Sequence, residues 1–313
     1  SRMIGAGFKQ TAKKGEVVPR RFLRVLAGDD SPAFKKGSGR KELAAAVTKS
    51  TNPLTARVIV NRVWQYHFGR GIVDTPNDFG RIGGLPSHPE LLDWLAVEFR
   101  DGGGSIKDLH RLILNSATYK QSSEFDAASA AVDGSNQYLW RQNRRRLEAE
   151  AVRDSVLAVA GKLDLKMGGP SFQDFVIEKP EHSPHYEYGK YDVDDPATHR
   201  RSVYRFLVRS QPQPFMETMD CADPSQLVDK RGETTTALQA LAMLNNVFMV
   251  RMAEHFAVRI AGEEDVVGAA VGLALSREAT VEEREVLGAY AAEHGVAAMC
   301  RVVFNLSEFV YVD

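Results

Sequence analysis

The fold of this chain is set by a stretch that begins at residue 52 and reads NPLTARVIVNRVWQYHFGRGIVDTPNDFGR through residue 81. It continues as PSHPELLDWLAVEF over 86–99 and as LHRLILNSATYKQSS over 109–123. Apolar residues recur there at helical spacing, with asparagine, arginine, histidine, tryptophan and aspartate between them. Because polar groups are costly to bury without partners, this density predicts an internal hydrogen-bond network or a ligand site.

Start and stop signals predict the helices of this stretch. One helix starts near Asn52, carries Pro53 in its first turn, where the missing N–H costs nothing, and stops at Gly69. The next helix carries the apolar positions of 86–99, and Ser87 with Glu90 fits a capping box at its start. The motif-rich stretch is therefore predicted to be helical, with a Gly- and Pro-rich loop between the two helices.

Capping signals and periodicity extend the helical pattern along the chain. Ser105 with Asp108 and Thr280 with Glu283 predict two further helix starts. The segment 144–162 is strongly amphipathic at helical spacing and predicts another helix.

The remainder of the chain predicts a mainly α fold with one small β element. SVYRFLVRS, at 202–210, is rich in β-branched and aromatic residues and is the best strand candidate. The Pro- and Tyr-rich segment 168–200 predicts a long irregular loop, which inside a compact domain is usually functional or mobile. We therefore predict a mainly α, multi-helix globular domain with a small β element near 201–210. In chain order it comprises an extended lead-in (1–40) and a single helical domain (41–313), made of a motif-rich helical half (41–165), a loop or insertion (166–200) and a strand plus C-terminal helices (201–313).

Composition excludes several classes of protein. The chain has 313 residues, of which 43% are hydrophobic and 26% charged, as in ordinary globular proteins. A formal net charge of -1 argues against nucleic acid as a partner, and no apolar run reaches the roughly 20 residues of a membrane span. Two cysteines, Cys221 and Cys300, exclude a disulfide scaffold, and no C-x-x-C-H motif is present to attach haem.

The helix after residue 52 supplies the candidate substrate-binding residues. Asn61 and Arg62 could present amide and guanidinium groups to a sugar or carboxylate, with Trp64 as a stacking surface. The alternative is a polar network that locks this helix to the TPNDFGR loop. His67 lies on the apolar face and is either a satisfied core histidine or a ligand. With His110, these residues form the predicted substrate-binding set.

The loop DTPNDFGRIGGLPSH, at 74–88, supplies the candidate catalytic residues. Binding residues tend to lie on loops that rigid helices position. Asp78 beside Arg81 would be held ionised, and His88 is a plausible proton carrier. In the alternative interpretation, Asp78 caps a turn and Arg81 ties the loop to a helix end.

The histidines do not have the spacing of a metal motif. His67, His88 and His110 lie on three different elements, so metal binding would depend wholly on the tertiary fold. His182 and His185 form a loose pair that could hold a cation. We predict no metal from the sequence. No G-x-S-x-G is present to indicate a serine hydrolase.

Several motifs together resemble a known family. They are NPLTARVIVNRVWQYHFGRGIV, TPNDFG, PSHPELLDWLAVEF, LHRLILNSATYKQSS, NRRRLEAEAVRDSVLAVAGKLD, MGGPSF, RRSVY, TTTALQALAMLNN and LSEFVYVD. The chain resembles, from about residue 18 to 313, the planctomycete domain of unknown function catalogued as family 1553. Gly104 stands where relatives often carry tryptophan, and the segments 171–199 and GAGFKQ (5–10) depart from the family pattern.

The resemblance implies a cellular context. The family forms the C-terminal part of periplasmic or secreted proteins that carry a c-type cytochrome module, so haem is expected on a separate upstream domain and no cofactor in this segment. It also implies an upstream sister domain as partner and, in some relatives, a laminin-G-like module of a type that often binds glycans. No signal peptide is recognised in these residues.

Three hypotheses on function follow. In the first hypothesis, the chain is a module of an enzyme that acts on glycans or related polymers, and Asp78, Arg81 and His88 take part in catalysis. Alternatively, it oxidises a substrate and passes electrons to the c-type cytochrome, or it is a non-catalytic interaction or scaffold domain. The sequence leaves open whether the chain is an enzyme.

Overall fold

The computed structural model describes residues 2–4, 14–179 and 183–312 of the chain. The segment GAGFKQ (5–10) and His182 lie outside these residues. The chain divides into two compact units, Ser1–Asn143 and Arg144–Asp313, called unit 1 and unit 2 here. Both are mainly helical, which confirms the predicted fold class. Among the described residues, no helix combines the length and the apolarity that a membrane span requires.

Unit 1 is organised around three helices of the motif-rich stretch. Its elements are the antiparallel strands β1 (Arg2–Ile4) and β2 (Lys14–Val17) and the helices α1 (Arg24–Ala27), α2 (Arg40–Val47), α3 (Pro53–Phe68), α4 (Pro89–Asp101), α5 (Ile106–Asn115) and α6 (Ala127–Val132). α3 packs against both α4 and α5. The core between them consists of Val60, Trp64, Phe68, Ile72, Val73, Leu92, Leu95, Leu109 and Ile113.

The ends of α3 follow the predicted signals. The Asn52 side chain accepts a hydrogen bond from the Leu54 N–H, and Pro53 occupies the first turn. Gly69 ends the helix with a φ of 77°, in the left-handed region that glycine enters without a steric penalty.

The start of α4 differs from the sequence prediction. Its N-cap residue is His88, and Ser87 instead directs its Oγ to His88 Nδ1 and to the Ile72 carbonyl. The predicted Ser87–Glu90 capping box is therefore wrong, because Pro89 starts the helix one position later than the box requires.

Unit 2 surrounds the helix pair α10 and α13. Its elements are β3 (Arg145–Arg146), α7 (Ala149–Val159), β4 (Val176–Glu178), β5 (His185–Glu187), α8 (Pro214–Thr218), α9 (Ala237–Asn245), α10 (Val247–Ile260), α11 (Val266–Leu275), α12 (Val281–His294), α13 (Val296–Phe304), α14 (Ser307–Val310) and β6 (Tyr311–Val312). β3 pairs with β6 and β4 with β5, both antiparallel. The core is rich in methionine and phenylalanine, including Met249, Met252, Phe256, Met299 and Phe304.

The β element expected near 201–210 does not form a strand. Ser202–Tyr204 is a 3₁₀ turn, and the segment contributes one isolated bridge, between Phe172 and Arg205. The reason is a contact with a distant residue, because Asp154 Oδ1 accepts hydrogen bonds from both the backbone N–H and the Oγ of Ser202, at 2.7 Å each, and so fixes the turn. The β4–β5 hairpin lies instead inside the predicted loop 168–200. The other described residues of that loop are irregular apart from a 3₁₀ turn at Pro196–Thr198 and isolated bridges at Phe172 and Arg200.

The helix predicted over 144–162 is shorter than expected, since Arg145–Arg146 pairs as a strand and α7 begins at Ala149. This helix packs against α8 and α10 of unit 2. The boundary between the units lies after Asn143. The extended lead-in (1–40) and the single helical domain (41–313) stay a prediction.

Candidate functional site

Asn61, the first of the predicted substrate-binding residues, is sealed inside unit 1. Its side chain is 0% exposed, its Nδ2 donates to the Val73 carbonyl at 2.9 Å and its Oδ1 accepts from the Val73 N–H at 2.8 Å. Gly71 lies so close that a Cβ there would be 2.7 Å from Asn61 Nδ2. The amide thus joins α3 to Val73 at the start of the following loop. Such a contact fits the interpretation in which polar residues of α3 form a network with this loop.

The neighbouring residues of α3 face different surroundings. Arg62 is exposed and donates from Nη2 to Asn77 Oδ1 at 2.7 Å, which ties α3 to the same loop. Trp64 is buried and stacks on Phe68 with ring centroids 4.2 Å apart, so its indole belongs to the core.

His67 and His110 are brought together from α3 and α5. Their ring nitrogens, His67 Nε2 and His110 Nδ1, are 2.7 Å apart, and both side chains are half-buried. The Tyr119 ring meets His67 edge-on, with centroids 5.5 Å apart. These two histidines are the predicted substrate-binding residues that the fold places in direct contact.

The predicted catalytic residues occupy the loop as separate contacts. Asp78 Oδ1 accepts from the Gly80 N–H at 2.8 Å and so stabilises a turn. His88 Nδ1 lies 2.9 Å from Ser87 Oγ, and Arg81 is exposed. In the described part of the chain no hydrogen bond or ion pair joins Asp78, Arg81 and His88 to one another. Their catalytic role stays a prediction.

Unit 2 contains a buried charged cluster that the sequence analysis did not predict. Asp174 and Arg205 have side chains that are 3% and 4% exposed, and Asp174 Oδ2 lies 3.7 Å from Arg205 Nη1. Within the described part of the chain, Asp174 Oδ1 and Arg205 Nε are buried and have no hydrogen-bond partner. Burial raises the pKa of Asp174, and this effect outweighs the lowering by Arg205 and Arg153.

Arg153 of α7 is also buried, and its charge acts on Asp174. Its guanidinium donates to the carbonyls of Thr198 and Arg200 at 2.5 and 3.1 Å. It also lies over the Phe172 ring, 5.0 Å from the centroid. A buried arginine held by carbonyl oxygens fixes the irregular segment around residue 200 against α7.

Two tyrosines complete the buried surroundings. Burial raises the pKa of both Tyr188 and Tyr191 to about 12, with the charge of Asp174 as the next cause. Both hydroxyls therefore stay protonated at neutral pH. Tyr188 donates its hydroxyl proton to the Gln211 carbonyl at 2.8 Å.

Arg205 and Tyr188 line a cavity of about 300 Å³, called the Arg205 cavity here. Apolar residues form much of its wall, namely Leu207, Val208, Pro212, Met216, Ala222 and Pro224. Its polar and sulfur-bearing residues are Tyr188, Arg205, Arg209, Gln213, Glu217, Cys221, Asp223 and Ser225. Small-molecule sites combine apolar walls with polar groups that orient the ligand, and this cavity has residues of both kinds.

Cys221 lines the cavity and also contacts a second ion pair, formed by Glu150 and Arg231. Its Sγ donates to Glu150 Oε1 at 3.5 Å, and Arg231 Nη2 donates to the same oxygen at 2.9 Å. Burial and the Glu150 charge raise the pKa of Cys221, so its thiol is protonated at neutral pH and is a weak nucleophile. For Glu150, burial raises the pKa but the hydrogen bond from Arg231 contributes to a net lowering.

The sequence contained one signal for this cavity. Arg205 stands between apolar residues in YRFLV, which we interpreted as a strand. A charged residue in such a run indicates either an exposed strand face or a buried pair, and only the fold shows that Asp174 is near. Among the described residues, no group of three or more His, Cys, Asp or Glu side chains could hold a metal ion.

The chain was compared with known proteins. Neither the curated proteins nor the solved structures contain a match. The profile of one protein family does match, over residues 39–291, which is most of the chain. The chain therefore belongs to the PSD1 family, described as proteins of unknown function (DUF1553).

Proposed function

We propose that unit 2 binds a small hydroxyl-rich ligand, such as one sugar unit of a glycan, in the Arg205 cavity. The observation that carries this proposal is a buried arginine in the wall of a partly apolar cavity. The Arg205 side chain is 4% exposed, and its Nε has no hydrogen-bond partner among the described residues. A buried donor without a partner costs about 1–3 kcal/mol, which a ligand oxygen or water would recover.

The charge of the lining favours an uncharged ligand. Arg205 and Arg209 are balanced by Glu217 and Asp223, so the cavity offers donors and acceptors with no excess of either sign. A hydroxyl group both donates and accepts hydrogen bonds and therefore suits such a lining better than a carboxylate or an ammonium group. The volume of about 300 Å³ is at the low end for small-molecule sites.

Catalysis on glycans is a further step of the same proposal. The predicted catalytic residues Asp78, Arg81 and His88 lie in unit 1, and their role is tested separately from binding. Turnover of a glycan that is unchanged by Asp78→Asn, Arg81→Gln and His88→Gln would remove them from the mechanism.

The other two functions rank below ligand binding. Substrate oxidation coupled to a c-type cytochrome and docking onto an upstream sister domain both require surfaces of other domains, whereas this chain alone forms the Arg205 cavity. A periplasmic or secreted location, which the resemblance implies, would give the cavity access to extracellular glycans.

Calorimetric titration of the chain with a panel of neutral, acidic and amino sugars tests the proposal. We expect a neutral sugar to bind, and we expect Arg205→Lys and Glu217→Gln each to weaken binding by about tenfold, the equivalent of one hydrogen bond of about 1.4 kcal/mol. Glu217 is exposed on α8, so its variant should fold normally.

Glu263→Gln is the matched control, because Glu263 is exposed and does not line the cavity. Its affinity should equal that of the wild type. If no sugar of the panel binds, or if both cavity variants bind as tightly as the control, the Arg205 cavity is not a glycan site.

A further inference from the structure

The pair formed by His67 and His110 has the geometry of two ligands that face one point. His67 Nε2 and His110 Nδ1 are 2.7 Å apart, below the common 2.9–3.0 Å of N–H···O hydrogen bonds. Their ring planes are 78° apart. The two nitrogens therefore approach each other from different helices, on rings that are both half-buried.

We propose that His67 and His110 are the two protein ligands of a divalent transition-metal site in unit 1. The proposal is independent of the Arg205 cavity, which lies in unit 2. Imidazole nitrogen is the ligand that zinc, copper and nickel share, whereas magnesium and calcium prefer oxygen.

The site requires only a small adjustment of the rings. Two nitrogens bound to one tetrahedral zinc ion at about 2.0–2.1 Å lie about 3.3 Å apart. The separation of 2.7 Å would therefore increase by roughly 0.6 Å, which side-chain rotation can supply. Tyr119, which meets His67 edge-on, limits how that ring can turn.

Metal binding displaces the proton that lies between the two rings. In the metal-free pair, one of the two facing nitrogens carries a proton and the other accepts it. When the metal binds, that proton leaves the facing nitrogen, either for the other nitrogen of the same ring or for the solvent, so both lone pairs go to the metal.

The remaining coordination positions are expected to hold water. Within the part of the chain that the structure describes, no third His, Cys, Asp or Glu joins this pair in a metal-binding group. Two protein ligands with open positions give a modest affinity, so the ion is exchangeable and would be lost during purification with chelators.

Titration of the full chain with Cu²⁺, followed by electron paramagnetic resonance, tests the proposal. We expect one site whose spectrum shows coupling to two imidazole nitrogens. His67→Gln and His110→Gln should each reduce the coupling to one nitrogen and weaken binding at least tenfold. Mg²⁺ in the same titration should not compete.

His185→Gln is the control, because His185 is exposed on β5 of unit 2 and belongs to the loose pair with His182. The control should bind Cu²⁺ as the wild type does. Thermal unfolding of each variant shows whether it has folded. Binding that is lost in His185→Gln but kept in His110→Gln would overturn the proposal. So would a folded wild-type protein that binds no Cu²⁺ at all, which would leave the pair as a simple hydrogen bond.

Discussion

Asn61 shows how one buried amide can define the local structure of a loop. It satisfies both the N–H and the carbonyl of Val73, a residue that is itself buried. Backbone groups in such a position have no access to water, so the asparagine side chain takes the place of a strand partner. Its polarity within an apolar helix face indicated a network, and the structure shows which backbone groups it contacts.

Asn61→Ala should lower the free energy of unfolding of unit 1 by about 2–4 kcal/mol, because it leaves the Val73 N–H and carbonyl buried without partners. Urea denaturation followed by tryptophan fluorescence measures this change. Asn77→Ala is the matched control, since Asn77 is exposed and, among the described residues, its side chain bonds only that of the exposed Arg62. The control should change the free energy by less than about 0.5 kcal/mol. If the two variants change the free energy of unfolding equally, the hydrogen bonds of Asn61 to Val73 do not stabilise unit 1.

Asp174 should give unit 2 an unusual pH dependence. Its pKa in the folded protein is raised above the ordinary value of 3.8, so the folded state holds this proton more tightly than the unfolded state. The contribution of Asp174 to the free energy of unfolding is fully present below pH 3.8. It is lost as pH rises through the raised pKa of the folded state.

The free energy of unfolding of the wild type relative to Asp174→Asn should therefore fall as pH rises from about 4. Circular dichroism with urea at a series of pH values measures this difference. A difference that grows with pH would mean that Arg205 and Arg153 stabilise the carboxylate more than burial destabilises it.

The start of α12 follows the sequence prediction, whereas the start of α4 does not. The predicted capping box of α12 is present, with Thr280 Oγ1 accepting from the Glu283 N–H at 3.1 Å and Glu283 Oε2 accepting from the Thr280 N–H at 2.8 Å. The hydrogen bond from Arg277 is the main cause that lowers the pKa of Glu283 to about 2. One carboxylate thus serves both a helix cap and an ion pair.

Glu283→Gln should destabilise unit 2 by about 1 kcal/mol at pH 7, since glutamine can keep the cap but loses the ion pair, and solvent screens that pair. Because the folded pKa is lowered, the loss should be present above pH 4.5 and should vanish as pH falls through about 2. Urea unfolding at pH 7 and at low pH measures this. Glu282→Gln, at the exposed neighbouring position, is the control. A loss that does not depend on pH would assign the effect to the cap alone.

The segment 201–210 shows where element prediction failed. Its composition favours a strand, but composition cannot show that Asp154 accepts the hydrogen bonds of Ser202. Ser202 and Asp154 are far apart in sequence, so this contact exists only once α7 and the segment pack together. A long-range contact here overrides the local β propensity.

The two units have separate hydrophobic cores and different spectroscopic signals. The core of unit 1 is formed by residues of 60–139 and the core of unit 2 by residues of 147–310. All three tryptophans, Trp64, Trp94 and Trp140, belong to unit 1. Tryptophan fluorescence therefore reports on unit 1, whereas far-ultraviolet circular dichroism reports on the helices of both.

Phe256→Ala should shift the unfolding transition seen by circular dichroism and leave the fluorescence transition in place. Phe256 is fully buried in unit 2 and stacks on Phe304 with centroids 5.4 Å apart, so its truncation should cost about 3–5 kcal/mol. Asn61→Ala is the reciprocal control, because this substitution in unit 1 should shift the unfolding transition seen by tryptophan fluorescence. A single transition, shifted equally for both probes by either variant, would mean that the units unfold as one cooperative body.

The sequence by itself determined the mainly α class, the bounds of α3 and the capping box of α12, because periodicity and capping act over only a few residues. It also determined the N-cap of α5, where Ser105 Oγ accepts a hydrogen bond from the Asp108 N–H. It also identified the polar residues of α3 that join the helix to its loop. Only the tertiary structure decided that Arg205 lies beside Asp174, that His67 meets His110 and that Ser202 turns toward Asp154. The physical reason is that these contacts join segments far apart in the chain, so that their burial and charge pairing arise only when the segments pack together.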